Sequence, residues 1–107
     1  MIGIDLFSGA GGMSLGARLA GIDVQVAVEA DPHAAQTYLH NHKPKYGLVI
    51  DDIRNFKKID IEDKKQPVVV FGGPPCQGFS TSNQKTRSAK NQNNWLFQEF
   101  FRVVHEY

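Results

Sequence analysis

Short apolar runs alternate with amphipathic segments along this chain. Residues 2–6 read as a buried strand, followed by a loop of small residues over 7–12. The spacing predicts a helix over 13–20, with Gly21 as a C-terminal cap. Residues 24–28 form a second β-rich run that ends at Glu29. Asp31 and Pro32 then have the chemistry of an N-cap and a first helical residue, and that helix runs to about Asn41. Residues 48–50 are a weaker third strand, followed by Asp51, Asp52 and Ile53 and a short turn or helix near 54–58. Val68, Val69, Val70 and Phe71 form the clearest buried strand, which Gly72, Gly73, Pro74 and Pro75 stop abruptly. Residues 80–94 are polar, without hydrophobic periodicity, and read as an exposed loop. Leu96, Phe97, Phe100, Phe101 and Val104 recur at helical spacing, and the Phe97, Phe100, Phe101 stripe reads as core rather than as a base-stacking platform.

Strands separated by helices pair in parallel, so the order β-α-β-α-β-(α)-β-loop-α predicts an α/β fold with a doubly wound, Rossmann-like parallel sheet. No internal repeat or domain boundary interrupts it. The 107 residues, 41% hydrophobic and 21% charged with a net charge of +1, have ordinary globular composition. Balanced charge neither indicates nor excludes a nucleic-acid partner, because a basic patch can sit on a neutral domain. The single cysteine, Cys76, permits no internal disulfide, which suits a reducing compartment. There is no signal-peptide pattern and no apolar stretch of membrane-spanning length, so the expectation is a cytoplasmic protein without a membrane partner.

Two segments carry candidate chemistry. Phe7-Ser8-Gly9-Ala10-Gly11-Gly12 joins the first strand to the first helix, where doubly wound sheets bind ligands. Small residues there allow a ligand to approach backbone N–H donors, or they only make a tight strand-to-helix turn. A dinucleotide fingerprint is incomplete, since the third glycine position is Ser14. Glu29, 20 residues after Gly9, stands where an acid accepts hydrogen bonds from ribose hydroxyls, and Asp52 is placed to meet an adenine amino group. The second segment is Gly72-Gly73-Pro74-Pro75-Cys76-Gln77-Gly78-Phe79-Ser80. Its glycines and prolines impose an unusual backbone path that holds Cys76 at the rim of the crevice, as an activated nucleophile or as a buried structural thiol.

Taken together, these residues resemble cytosine-5 DNA methyltransferases over essentially the whole chain. Phe7, Ser8, Gly9, Gly11 and Gly12 are similar to the first block of that family. Glu29, with Ala30 beside it, looks like its ribose-binding acid. Asp52-Ile53 resembles its adenine-binding pair, and Pro74-Pro75-Cys76-Gln77-Gly78-Phe79-Ser80 resembles its nucleophile block. Leu96 in Asn94-Trp95-Leu96-Phe97 resembles the leucine of the next block, which also lines the cofactor pocket. The resemblance implies S-adenosylmethionine as cofactor, bound by Phe7, Ser8, Gly9, Gly11, Gly12, Glu29, Ala30, Asp52, Ile53, Pro74 and Leu96. It implies that Cys76 adds to C6 of a cytosine flipped out of double-stranded DNA. Gln77, Ser80, Ser82, Lys85 and Arg87 become candidates for contact with DNA, with Lys90 as a further cation of the same loop. A bacterial-type modification enzyme is the particular expectation.

Parts of the family pattern are missing. No Glu-Asn-Val block and no Gln-x-Arg-x-Arg block follow, and the target-recognition region and last helix of the cofactor pocket are absent. Residues 91–94 depart from the Asp-x-Arg-like form often seen before the leucine. Residues 1–107 are therefore expected to be the N-terminal part of a catalytic domain with a truncated sheet, inactive or nearly so alone. A C-terminal part or complementary subunit would complete it, and an open strand edge with apolar helix surface would favour association. Two other readings use the same architecture: a transfer-RNA cytosine-5 methyltransferase, and a non-catalytic Rossmann-like binding module. His40 and His42 sit near a helix C-terminus and read as solvated histidines, with no metal site expected. The charged stretch 60–65 reads as a surface connection, and Trp95 either packs under the polar loop or borders the cofactor site.

Overall fold

The computed structural model describes residues 1–74 and 95–107. Four parallel strands, β1 (Ile2–Leu6), β2 (Asp23–Val28), β3 (Leu48–Val49) and β4 (Val68–Gly72), form one sheet in the order β3-β2-β1-β4. Helix α1 (Gly12–Leu19) joins β1 to β2, α2 (Pro32–Asn41) joins β2 to β3, a single 3-10 turn (Ile53–Asn55) follows β3, and α3 (Trp95–Glu106) comes last. The chain first winds outward from β1 to β3 and then returns to the other side of β1. The strand order therefore reverses between β1 and β4, the position where such sheets bind ligands outside their carboxyl ends.

Side chains alternate across a strand, and β1 uses both faces. Ile2, Ile4 and Leu6 join Val26, Val28, Ile53, Phe56, Leu96 and Val103 in one apolar cluster, which α3 and the 3-10 turn cover. Asp5 points to the opposite face and meets Ser14 of α1, which in turn meets Tyr38 of α2. Local chemistry sets the helix ends. Asp31 caps α2 by accepting from the His33 amide at 3.2 Å, with Pro32 at the first helical position. Gly11, with φ 104°, supplies the left-handed turn that starts α1. Gly72, with φ 155°, lies so close to β1 that a Cβ there would stand 1.9 Å from the Leu6 carbonyl oxygen.

Three sequence expectations need correction. β4 was expected to be the clearest buried strand, yet all five of its residues are only half-buried. It lies at the sheet edge among the described residues, whereas an unbroken apolar run is the pattern of an interior parallel strand. The buried face of α3 is set by Leu96 and Val103, with Trp95, Phe100 and Tyr107 packed against the core. Phe101 is 65% exposed and so is not core. His42 is buried rather than solvated. It ends α2 on the Tyr38 side, with its Nε2 3.0 Å from the Gly11 carbonyl oxygen and its ring 4.7 Å from that of Tyr38.

Candidate functional site

The carboxyl ends of the first three strands are tied to one another by backbone hydrogen bonds. The Ser8 amide donates to the Val28 carbonyl at 3.0 Å and the Glu29 amide to the Val49 carbonyl at 3.0 Å. Glu29 adds side-chain bonds: its Oε1 accepts from the Gly9 amide at 2.7 Å and its Oε2 from the Asp31 amide at 2.8 Å. The glycine loop is thus held by the acid at the end of β2. Each Glu29 oxygen keeps a second acceptor position for a ligand hydroxyl. Phe7 adopts φ 56°, an unusual conformation for a residue with a Cβ and one that clusters at functional sites.

Beside these strand ends lies a pocket of about 290 Å³. Phe7, Glu29, Ala30, Asp52, Ile53 and Leu96, six of the residues expected at a cofactor, line it together. Val28, Asp51, Gly73 and Trp95 complete the wall. Trp95 thus borders the pocket, while the polar loop it was alternatively expected to pack under lies outside the described residues. Among the described residues, this volume falls just below the range usual for ligand pockets, about 300–1,000 Å³. Ser8, Gly9, Gly11, Gly12 and Pro74 do not line it. Gly9 acts through Glu29, and Gly11 is small because a Cβ there would come within 2.6 Å of the His42 ring.

The pocket's polar wall is acidic, and Arg54, outside its lining, binds one of the acids. Asp52 caps the 3-10 turn, and Arg54 bonds both of its oxygens, Nε to Oδ1 at 3.0 Å and Nη2 to Oδ2 at 2.7 Å. These side-chain hydrogen bonds, and the Arg54 amide after them, hold the Asp52 carboxyl below its ordinary range. The guanidinium also stands 4.2 Å from the centroid of the Trp95 ring.

Behind the loop lies a network that sequence reasoning missed. Ser14 Oγ donates to Asp5 Oδ2 at 2.6 Å and is 2.8 Å from the Tyr38 hydroxyl, all three residues being fully buried. Burial pushes the Asp5 carboxyl up to about 6; the Ser14 bond opposes this and the charge of Glu29 adds to it. An acid inside the apolar run Ile2-Gly3-Ile4-Asp5-Leu6 and a serine at the third glycine position were the available signals. Cys76, Gln77, Ser80, Ser82, Lys85, Arg87 and Lys90 lie outside the described residues.

A parallel sheet with an acid-bearing pocket at its switch point defines a Rossmann-like α/β protein. Within that class, the profile of the C-5 cytosine-specific DNA methylases matches residues 1–107, and the chain belongs to that family. It is 43% identical over 113 residues to the Type II methyltransferase M1.HphI of Haemophilus parahaemolyticus, covering 94% of this chain and 28% of the relative. It is 41% identical over 102 residues to the Type II methyltransferase M.DdeI of Desulfomicrobium norvegicum, covering 94% of this chain and 24% of the relative. A crystal structure described as a DNA modification methyltransferase encoded within an E. coli prophage superposes with a TM-score of 0.71 at 39% identity, covering 99% of this chain and 29% of that one. The chain therefore spans about a quarter of the length of these relatives. Among the described residues, no helix is long and apolar enough to cross a membrane.

Proposed function

We propose that this chain supplies the cofactor site and the nucleophile of an S-adenosylmethionine-dependent methyltransferase acting on C5 of cytosine in double-stranded DNA, as part of a restriction-modification system. The observation that carries the reading is the convergence of Phe7, Glu29, Ala30, Asp52, Ile53 and Leu96 on one pocket at the switch point of the sheet. The fit to an adenosyl group is chemical. Glu29 retains acceptor positions for ribose hydroxyls, Asp52 is an ionised acceptor for an amino group, and Phe7, Ile53, Trp95 and Leu96 offer apolar surface to a purine. When bound there, S-adenosylmethionine supplies an electrophilic methyl group.

The chain's own contribution to the chemistry is Cys76. Its thiolate adds to C6 of the cytosine, and the electron pair released toward C5 makes that carbon nucleophilic. After the methyl group is accepted, loss of the C5 proton to a base restores the double bond and expels the thiolate. The target is out of reach inside a stacked duplex, so it is presented flipped out. Gln77, Ser80, Ser82, Lys85 and Arg87 are the proposed contacts to that DNA. The reading assigns residues 1–107 to the N-terminal part of the catalytic domain, and predicts little or no turnover without the remaining parts. Cys76→Ser in the complete enzyme should abolish transfer of a labelled methyl group to DNA while sparing cofactor binding. Retained transfer would refute the role of Cys76.

A further inference from the structure

We propose that Arg54 is a positioning residue that sets the base selectivity of the pocket: by filling all but one acceptor position of Asp52, it leaves a single acceptor that selects a purine with an amino donor at its 6-position over one with an oxo group there. The inference rests on the nucleoside reading above and adds to it a residue that acts through Asp52.

An ionised carboxylate offers about four acceptor positions. Oδ1 of Asp52 accepts from the Arg54 amide at 2.9 Å and from Arg54 Nε at 3.0 Å, which fills it. Oδ2 accepts from Arg54 Nη2 at 2.7 Å, which leaves one position. A two-point guanidinium fork fixes the plane of the carboxylate as a point charge cannot. The fork is itself held from a second element, because the same guanidinium lies over the ring of Trp95 at the start of α3, and Trp95 borders the pocket. Asp51 also lines the pocket; its Oδ1 accepts from the Asp52 amide at 2.7 Å and from Asn55 Nδ2 at 3.0 Å, but the Arg54 fork orients the Asp52 carboxylate alone. Glu99 of α3 acts on Arg54 only through its charge. A 6-amino group thus meets an oriented acceptor, whereas a 6-oxo group sets one acceptor against another. A site built to hydrogen-bond a group discriminates against the analogue that leaves its oriented acceptor unsatisfied, and Asp52, with its side chain 33% exposed, does so from the pocket wall rather than from the interior.

The test measures binding of S-adenosylhomocysteine and of its deaminated, inosine-bearing analogue to the full chain. Trp95 is the sole tryptophan, so its fluorescence reports occupancy of the pocket. Wild type should prefer the amino compound by at least about tenfold. Arg54→Gln should reduce that preference to about threefold or less with an unchanged melting temperature, since Arg54 is 60% exposed. Arg54→Lys, which keeps the charge and loses the fork, should not restore it. An unaltered preference in Arg54→Gln, full restoration by lysine, or a fall in melting temperature would each overturn the role given to Arg54 while leaving the nucleoside pocket standing. Equal binding of the two compounds by wild type would overturn the selectivity. Binding of neither would overturn both this inference and the nucleoside reading.

Discussion

A carboxyl group enclosed in a sheet is stable only if it is neutral or well partnered, and Asp5 has one hydrogen bond for two oxygens. Its Oδ2 accepts from Ser14, while Oδ1 is buried without a partner among the described residues. Its folded pKa, about 6, stands above the ordinary 3.8, so between those values the folded chain holds a proton that the unfolded chain has released. The contribution to stability is therefore fully present below pH 3.8 and is lost as pH rises through 6. Charging the group in place costs on the order of 3 kcal/mol. Asp5→Asn, which keeps a polar partner for Ser14 and cannot ionise, should gain on wild type steadily from pH 4 to pH 7 in urea-unfolding midpoints. A constant offset between the two proteins across that range would show that Asp5 does not titrate there. The acid itself was legible as a break in the apolar run of β1. Its dependence on Tyr38, on a separate helix, was not, because no local pattern links the two positions.

Elements were more legible than their packing. β1, α1, β2 and α2 fall within a residue or so of the positions that apolar runs, Asp31, Pro32 and Gly21 predicted, since caps and turn residues act locally. Helix α3 was visible from its apolar spacing, but the choice of buried face was not. Apolar residues occupy more of its circumference than one core can cover, so Leu96 and Val103 go inward while Phe101 stays out. The polar residue that secures α3 breaks the apolar pattern altogether. Arg102 reaches back to donate to the Ile53 carbonyl at 2.9 Å and the Phe56 carbonyl at 3.3 Å, and it pairs with Glu99 at 2.6 Å and Glu106 at 2.8 Å. Just past the C-terminus of the same helix, the Tyr107 hydroxyl bonds both backbone groups of Ile59. Arg102→Met keeps the aliphatic stem and leaves those two carbonyls without this donor, at a cost of about 1–3 kcal/mol. Because Ile53 and Leu96 both line the pocket, the same substitution should weaken nucleoside binding as well as lower the melting temperature. A lower melting temperature with unchanged binding would mean that the pocket does not depend on how α3 docks.

For the whole molecule, alternation of strands and helices was enough to imply a parallel sheet, but not which strand stands at its edge. That order follows from the crossover to β4, whose pairing with β1 requires Gly72 at the point of closest approach. An apolar strand at an edge, half-buried along its length, is a surface that water solvates poorly and that another strand can pair with. Two helices add apolar surface of the same kind: Leu19 of α1 is 81% exposed and Phe101 of α3 is 65% exposed. Neither side chain belongs to the apolar cluster, so replacing them should not disturb the core. The chain on its own should therefore self-associate as its concentration rises, and hydrophobic contact is the driving force expected. The double substitution Leu19→Lys and Phe101→Glu should move the sedimentation coefficient toward that of the monomer, with little change in melting temperature. If association persists unchanged in the double variant, the edge that β4 forms among the described residues is the surface responsible. A charged residue at Val69, in the middle of that edge, should then suppress it instead, and at a cost in stability, because Val69 sits in register with Gly3 of the central strand.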